Sequence, residues 1–191
     1  MTEYLPILNT IRLIIRELTD EDIQNVHELH SMPQTDEFNT LGIPETLLVT
    51  TELVEKWVAE SQQHLRNSYV FCIQRKETSE FVGLIAISLG KINFRNAEVW
   101  FKIHADHWNK GYTTEALRSI LKFGFAHLKL HRIEAGCAVE NIASIRVLEK
   151  SGMKSEGMKR KNLPIRGEWK DSFSYAILAE DFFPITGKPR P

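Results

Sequence analysis

The sequence predicts an α/β (α+β) domain built on one mixed sheet of about seven strands with helices packed against it. Three observations predict it. The segments Ser68–Arg75, Phe81–Leu89 and 97–104 alternate apolar and polar residues and are separated by polar turns, the pattern of neighbouring strands. The period then changes: over 112–130, Leu117, Ile120, Leu121, Gly124 and Leu128 recur at helical spacing and form one apolar face. Finally, strand-like runs at 132–139, 154–161 and 169–178 follow that helix, so strands and helices share one chain without segregating.

In chain order, residues 10–18 (TIRLIIREL) are β-branched and apolar and read as the first strand. Thr19 then caps a helix over 20–31, with Asp22 as capping-box partner and Ile23, Val26 and Leu29 or His30 at helical spacing. Residues 32–48 carry Pro33, Gly42 and Pro44 and read as irregular. Thr50 or Thr51 opens a second helix that reaches Leu65, with Leu53, Trp57, Val58 and Leu65 as its apolar stripe. In the strand 97–104, Val99, Phe101 and Ile103 face one way and Glu98, Trp100 and Lys102 the other. Residues 141–151 form a helix ending at Gly152, a residue suited to the C′ position. The last two strands flank a turn at 164–167, and the tail 185–191 reads as frayed. No repeat, low-complexity segment or linker interrupts the chain, so residues 1–191 read as a single domain with its core over 10–184.

A chain of 191 residues is long enough to bury a substantial core in one domain. Its 24 Lys and Arg almost balance its 25 Asp and Glu, so no global field draws in nucleic acid or an anionic membrane. No apolar run approaches the ~20 residues of a spanning helix. The start, MTEYLPILNTIR, lacks the basic-then-apolar pattern of a signal peptide. The expectation is a cytoplasmic protein with no membrane partner and no direct nucleic-acid partner. Cys72 and Cys137 fall in strand-like runs and read as inert, buried apolar residues.

The chemistry concentrates in residues 104–117, HADHWNKGYTTEAL, which leave a strand and enter the strongest helix. Asn109 and Gly111 are the residues there best able to take left-handed backbone geometry. A helix N-terminus with unpaired amides and a positive dipole end accepts anions. The segment therefore reads either as a phosphate or pyrophosphate cradle or as an ordinary strand–helix turn. Neither the P-loop pattern nor G-x-G-x-x-G is present, which argues against both known phosphate fingerprints. His104, Asp106 and His107 cluster without a fourth ligand, and no metal is expected.

WNKGYTTEAL, then a strand, then ENIASIRVLEKSGMKSEG, then Gly167 and Asp171 ahead of the strand SYAIL, resembles the ribosomal-protein N-terminal acetyltransferase branch of the GNAT superfamily. The resemblance runs over nearly the whole chain, from IRLIIRELTDEDI onward. It implies a V-shaped sheet splayed between its fourth and fifth strands, with acetyl-CoA as co-substrate in the cleft. It implies that Phe101, Lys102 and Ile103 offer strand amides to the pantetheine arm. His107, Trp108, Asn109, Lys110, Gly111, Tyr112, Thr113 and Thr114 would surround the pyrophosphate. Asn141 and Ser144 would lie near the thioester sulfur, and Arg146 near the nucleotide end. The family's loop pattern, (Gln/Arg)-x-x-Gly-x-(Gly/Ala), falls here on Asp106, Asn109 and Gly111. Asn tolerates positive φ, whereas Asp removes one phosphate donor, so weaker cofactor binding is expected, with Lys110 adding charge. Asn141 also reads as a plain helix N-cap, and Glu115 as a partner of the helix dipole.

The reaction so implied is direct attack of a neutral amine on the thioester, without an acyl-enzyme. It needs a proton acceptor, a donor for the developing oxyanion and a donor for the departing sulfur. The strand amides near 101–103 are the candidate oxyanion donors and Ser144 the candidate donor to sulfur. Glu98, beside Trp100, is the candidate base, with an exposed strand-end carboxylate as the bland alternative. The resemblance implies a protein N-terminal α-amine as acceptor, and also a homodimer; related branches take small amines, polyamines or aminoglycosides. Trp57, Trp100 and Trp169 are candidates for the cleft wall, or for core packing. Lys159, Arg160, Lys161 and Arg166 make the last hairpin basic and read as a solvated turn. Two other classes stay open: a CoA-binding module without catalysis, and an interaction scaffold that binds no CoA.

Overall fold

The computed structural model describes residues 7–183; the start of the chain and the tail 185–191 lie outside the described residues. Eight strands form one sheet in the order β1-β2-β3-β4-β5-β6-β8-β7. They are β1 Leu8–Asn9, β2 Leu13–Glu17, β3 Ser68–Arg75, β4 Phe81–Leu89, β5 Asn96–Ile103, β6 Arg132–Ala138, β7 Lys154–Ile165 and β8 Glu168–Leu178. All neighbours are antiparallel except β5 and β6. The helices are α1 Ile23–Ser31, α2 Pro33–Asp36, α3 Leu47–Ser61, α4 Tyr112–Ala126, α5 Ile142–Lys150 and α6 Ala179–Phe182. Among the described residues no helix is long and apolar enough to cross a membrane.

The alternation of β5 divides the core as expected. Val99 and Ile103 join a cluster with Leu117, Ile120 and Leu121 of α4, and Phe101 packs against it. Trp100 faces the other way, packing with Trp57 against Val26 and Leu29 of α1 and Val54 of α3. Both sheet faces are therefore covered by helices, which fits the predicted class.

Several boundaries differ from the sequence reading, each for a local reason. Residues 10–12 are a turn rather than strand: the Thr10 amide donates to the Leu13 carbonyl at 3.0 Å, which splits off β1 and gives eight strands. Helix α3 begins at Leu47, with Thr46 in the N-cap position, and ends at Ser61. Its first residues Leu47, Leu48 and Val49 are exposed, so their apolar run hid the start. Thr50 lies inside the helix, buried, with Oγ1 2.8 Å from His27 Nδ1. Val54 rather than Leu53 is fully buried, and Leu65, beyond the helix, is 85% exposed. One helical turn, α2, interrupts the stretch read as irregular. Helix α4 stops at Ala126, because Lys129 turns left-handed (φ 55°) and folds Leu130 back beneath Gly124. The last turn is only Arg166–Gly167, both at positive φ, the type I′ geometry of a two-residue hairpin; Pro164 sits within β7 opposite Trp169.

One feature of the sheet opens a gap between two central strands. β5 and β6 share three register pairs, Asn96–Arg132, Ala97–Ile133 and Glu98–Glu134, and then part. β5 stays paired to β4 as far as Ile103, and β6 to β8 as far as Ala138. This is the expected splay. The His104 amide donates to the Val82 carbonyl and the Gly90 amide to the Asn96 carbonyl, both at 2.9 Å. Even-numbered residues of β5 therefore turn their backbone groups to β4, and the odd-numbered Phe101 and Ile103 turn theirs to the open seam. Gly83 permits this close pairing: a methyl group there would sit 2.3 Å from the Lys102 carbonyl oxygen. Gly83→Ala is expected to destabilise the fold by about 1–3 kcal/mol, lowering Tm by roughly 2–12 °C. An unchanged Tm in thermal unfolding would disprove the tight β4–β5 contact.

Candidate functional site

The loop leaving β5 takes the backbone form that its sequence predicts. Asn109 (φ 59°) and Gly111 (φ 78°) are both left-handed. Gly111 occupies the N-cap position of α4, and the first amide to bond back is that of Glu115, to the Gly111 carbonyl at 3.2 Å. The amides of Asn109, Lys110, Gly111, Tyr112, Thr113 and Thr114 find no acceptor among the described residues. A run of free donors at the positive end of a 15-residue helix is an anion cradle in form.

Other residues of this segment brace the loop. His107 is 5% exposed, with its ring against Tyr112 and its Nε2 3.4 Å from Glu80. Burial holds its pKa below the usual histidine value, against the opposing pull of Glu80. The Trp108 indole donates to the Ile103 carbonyl at 2.8 Å. The Asp106 amide donates to His104 Nδ1, and its carboxylate is exposed beside that imidazole. No group of three His, Cys, Asp or Glu side chains among the described residues gathers in a form that would hold a metal.

Arg12 is a residue that the sequence reading missed. Its guanidinium lies over the Tyr112 ring at 4.6 Å, donates to the Lys110 carbonyl at 3.0 Å and pairs with Glu115 at 2.7 Å. Glu115 also accepts from the Thr10 hydroxyl and the Arg12 amide. Burial pushes the Glu115 pKa up, but these hydrogen bonds outweigh it and hold the carboxyl below its ordinary value. Glu115 thus fastens the loop to the turn before β2, a more specific role than the dipole partner first read. The contact joins residues 103 apart, and no local pattern marks it.

Across the seam, the parity of β5 corrects one expectation. Phe101 and Ile103 present amides to the opening, but the Lys102 amide is paired into β4 opposite Leu84. The Lys102 side chain leaves on the α1 face with Trp100. Its Nζ is buried and has no hydrogen-bond partner among the described residues. Burial pushes its pKa down to about 8, with Asp36 opposing. His30 lies close enough for Lys102 to help lower its pKa to about 4, burial being the larger cause, so this imidazole is neutral. Trp57 and Trp100 pack with their ring centroids 6.0 Å apart and their planes tilted by 39°, with His30 edge-on to Trp57. The basic hairpin is not wholly solvated: Arg166 Nε pairs with Asp36 Oδ2 at 3.2 Å and its Nη2 donates to the Pro33 carbonyl at 3.3 Å, bridging β7–β8 to α2. Trp169, by contrast, is 59% exposed beside that turn.

The remaining predicted residues lie at the ends of the parted strands. Glu98 is exposed at the last shared register pair, and its Oε1 would lie 3.8 Å from a side-chain carbon at Gly136 of β6. Asn141 caps α5: its Oδ1 accepts from the Ser144 amide at 3.0 Å. The Ser144 hydroxyl has no partner among the described residues. Arg146 is exposed on α5. Cys72 and Cys137 are buried and burial raises both thiol pKa values, that of Cys137 to about 11, which favours the thiol over the thiolate form.

The model of the acetyltransferase (GNAT) domain family matches residues 12–154. The uncharacterized N-acetyltransferase YnaD of Bacillus subtilis is 34% identical over 175 residues, which cover 92% of this chain and 98% of YnaD. A GNAT-family acetyltransferase of Bacillus anthracis, known from a crystal structure, is 32% identical with a TM-score of 0.80, over 92% of this chain and 99% of that one. Spermidine N-acetyltransferase from Vibrio cholerae, solved with CoA and spermine, has the same fold at 23% identity and a TM-score of 0.80, over 91% of this chain and 99% of that one.

A side chain at Gly111 would project among the free amides, with only Arg12 Nη2 near its first carbon, at 3.5 Å. Gly111→Trp is therefore expected to abolish the CoA-induced rise in Tm. A retained rise in a folded variant, checked by circular dichroism, would move the anion site elsewhere.

Proposed function

The chain belongs to the acetyltransferase (GNAT) family and is an N-acetyltransferase, and from this we propose that it moves the acetyl group of acetyl-CoA to a protein N-terminal α-amine, such as that of a ribosomal protein. The observation that carries the reading is the run of acceptor-free amides from Asn109 to Thr114, at the same end of the sheet as the open edge of β5. Acetyl-CoA supplies the activated acetyl thioester when bound. The residues present fit it: free amides for the phosphates, and the Phe101 and Ile103 strand edge for an extended, amide-bearing arm.

In the proposed mechanism the same strand edge offers a donor to the carbonyl oxygen as charge develops on it. Asn141 fixes the first turn of α5 and so orients Ser144, whose free hydroxyl donates to the departing sulfur. Glu98, at the point where β5 and β6 part, takes the amine proton, directly or through water. His107, Trp108, Lys110 and Tyr112 act by holding the loop in shape, and exposed Arg146 meets the nucleotide end. Holding both reactants in register supplies much of the remaining acceleration. An α-amine suits this modest base, because its pKa of about 8 lies well below the ~10.4 of a lysine. A polyamine acceptor is the second reading, motivated by the spermine named in the V. cholerae complex.

Thermal unfolding with acetyl-CoA, CoA, NAD and ATP in separate samples tests the cofactor. A ligand at ~100 times its Kd adds about 2.7 kcal/mol, which for this chain length is roughly 5–11 °C. The rise is expected with acetyl-CoA and CoA alone; no rise at millimolar acetyl-CoA would leave a scaffold. Ser144→Ala is expected to lower kcat about tenfold or more while acetyl-CoA still raises Tm. Unchanged turnover would remove Ser144 from the mechanism.

A further inference from the structure

The α1 face of β5, beside the seam, holds a group that the proposed chemistry does not use. Lys102 lies between Phe101 and Ile103, whose amides face the opening, and its side chain leaves the opposite face of the strand from theirs. Its ammonium is out of contact with water and has no hydrogen-bond partner among the described residues. The charged and titratable groups around it do not satisfy it. From α1, His30 is neutral, and Glu28 is turned toward His104. From α2, Asp36 is near enough to act on Lys102 electrostatically, but its carboxylate is held by Arg166 of the last hairpin. On its own strand, Glu98 is exposed at the far end of the seam.

A buried cation without a partner is costly, and a well-packed apolar side chain of the same length would be more stable there. Such a cost persists where a ligand supplies the missing anion. The phosphates are not that ligand: their cradle lies beyond the end of β5, beside Arg12 and Glu115, whereas Lys102 lies beside α1 and α2.

We propose that Lys102 is a specificity-determining residue that holds a carboxylate on the acceptor, so that the preferred substrate is an amine bearing a carboxylate a few bonds from its reactive nitrogen. Two sources carry that chemistry: a peptide N-terminus with an acidic residue next to the first, and a free α-amino acid. Both bring an anionic group, whereas a polyamine brings only cations to a site that already buries one. This inference rests on the acetyltransferase reading and names the acceptor class within it.

The test measures CoA release by the purified protein with acetyl-CoA and four acceptors. They are the C-terminally amidated peptides Ser-Glu-Ala-Ala and Ser-Gln-Ala-Ala, free L-serine, and spermidine. The wild type is expected to favour the Glu peptide over the Gln peptide about tenfold or more in kcat/KM, the usual effect of one charge-assisted hydrogen bond. Lys102→Met is expected to bring that ratio close to one, mainly through KM, while Lys102→Arg keeps part of it. If free L-serine is the faster acceptor, its rate should show the same dependence on Lys102, and the source is then an amino acid. Without any acceptor, Lys102→Met is expected to raise Tm, which a structural lysine would not do. Equal rates on the two peptides together with an L-serine rate unmoved by Lys102→Met, a peptide ratio unchanged by Lys102→Met, or spermidine as the best acceptor would overturn the inference and leave the acetyltransferase reading intact. A fall in Tm in both Lys102→Met and Lys102→Gln would also overturn it, making the lysine structural. Failure of the underlying reading is distinct: no CoA release with any acceptor and no rise in Tm with acetyl-CoA.

Discussion

The parting of β5 from β6 after Glu98 is the constraint on which the rest of the molecule depends. A strand in the middle of a sheet normally has both edges paired, because buried backbone donors and acceptors must be satisfied. Here β5 is fully paired on the β4 side and abandoned on the other for its last residues. The cost is contained by covering both sheet faces: α4 packs on one, and α1 and α3 on the other. The opening is thus an edge inside the protein, flanked by apolar walls, where a hydrogen bond to an extended ligand counts for more than it would in water.

The loop beyond β5 faces a related problem. Left-handed Asn109 and Gly111 aim a run of amides at one point, and nothing in the chain answers them. A segment that leaves so many donors unused must be held from outside. Arg12 and Glu115 do this, joining the turn before β2 to the first turn of α4 through a bidentate, stacked contact. His107 and Tyr112 fill the space behind. The beginning of the domain therefore sets the shape of a loop near its middle.

These two features differ in how far the sequence exposes them. The left-handed residues were legible, because Asn and Gly are the residues that tolerate positive φ. The division of β5 into two faces was legible too, because side-chain alternation is a property of one strand alone. Which of its amides face the seam was not. That depends on pairing with β4, and so on the His104–Val82 bond and the close approach at Gly83. Lys102 accordingly read as a strand amide, although its backbone is used by β4 and its side chain is the free group. Arg12 with Glu115 and Asp36 with Arg166 span 103 and 130 residues, and nothing local to either partner encodes the match. Exposed Leu47, Leu48 and Val49 misled in the opposite sense, since an apolar run at a helix start imitates burial without having it.

The polar groups left at the seam are biased in kind. Two carbonyls that would compete for donors are already taken, Ile103 by the Trp108 indole and Lys110 by Arg12. His30, on the α1 side, is held neutral and Asp36 is bound by Arg166, so neither offers a free counter-charge. What remains is mostly donors: the cradle amides, the strand edge, the Ser144 hydroxyl and the Lys102 ammonium. A cleft so composed suits ligands that bring acceptors and negative charge. Phosphates, a carbonyl on which charge develops and an anionic acceptor group all meet that description. The one group in the proposed reaction that arrives as a cation is the amine itself, and the proposal gives its proton to Glu98, the exposed carboxylate where the strands part.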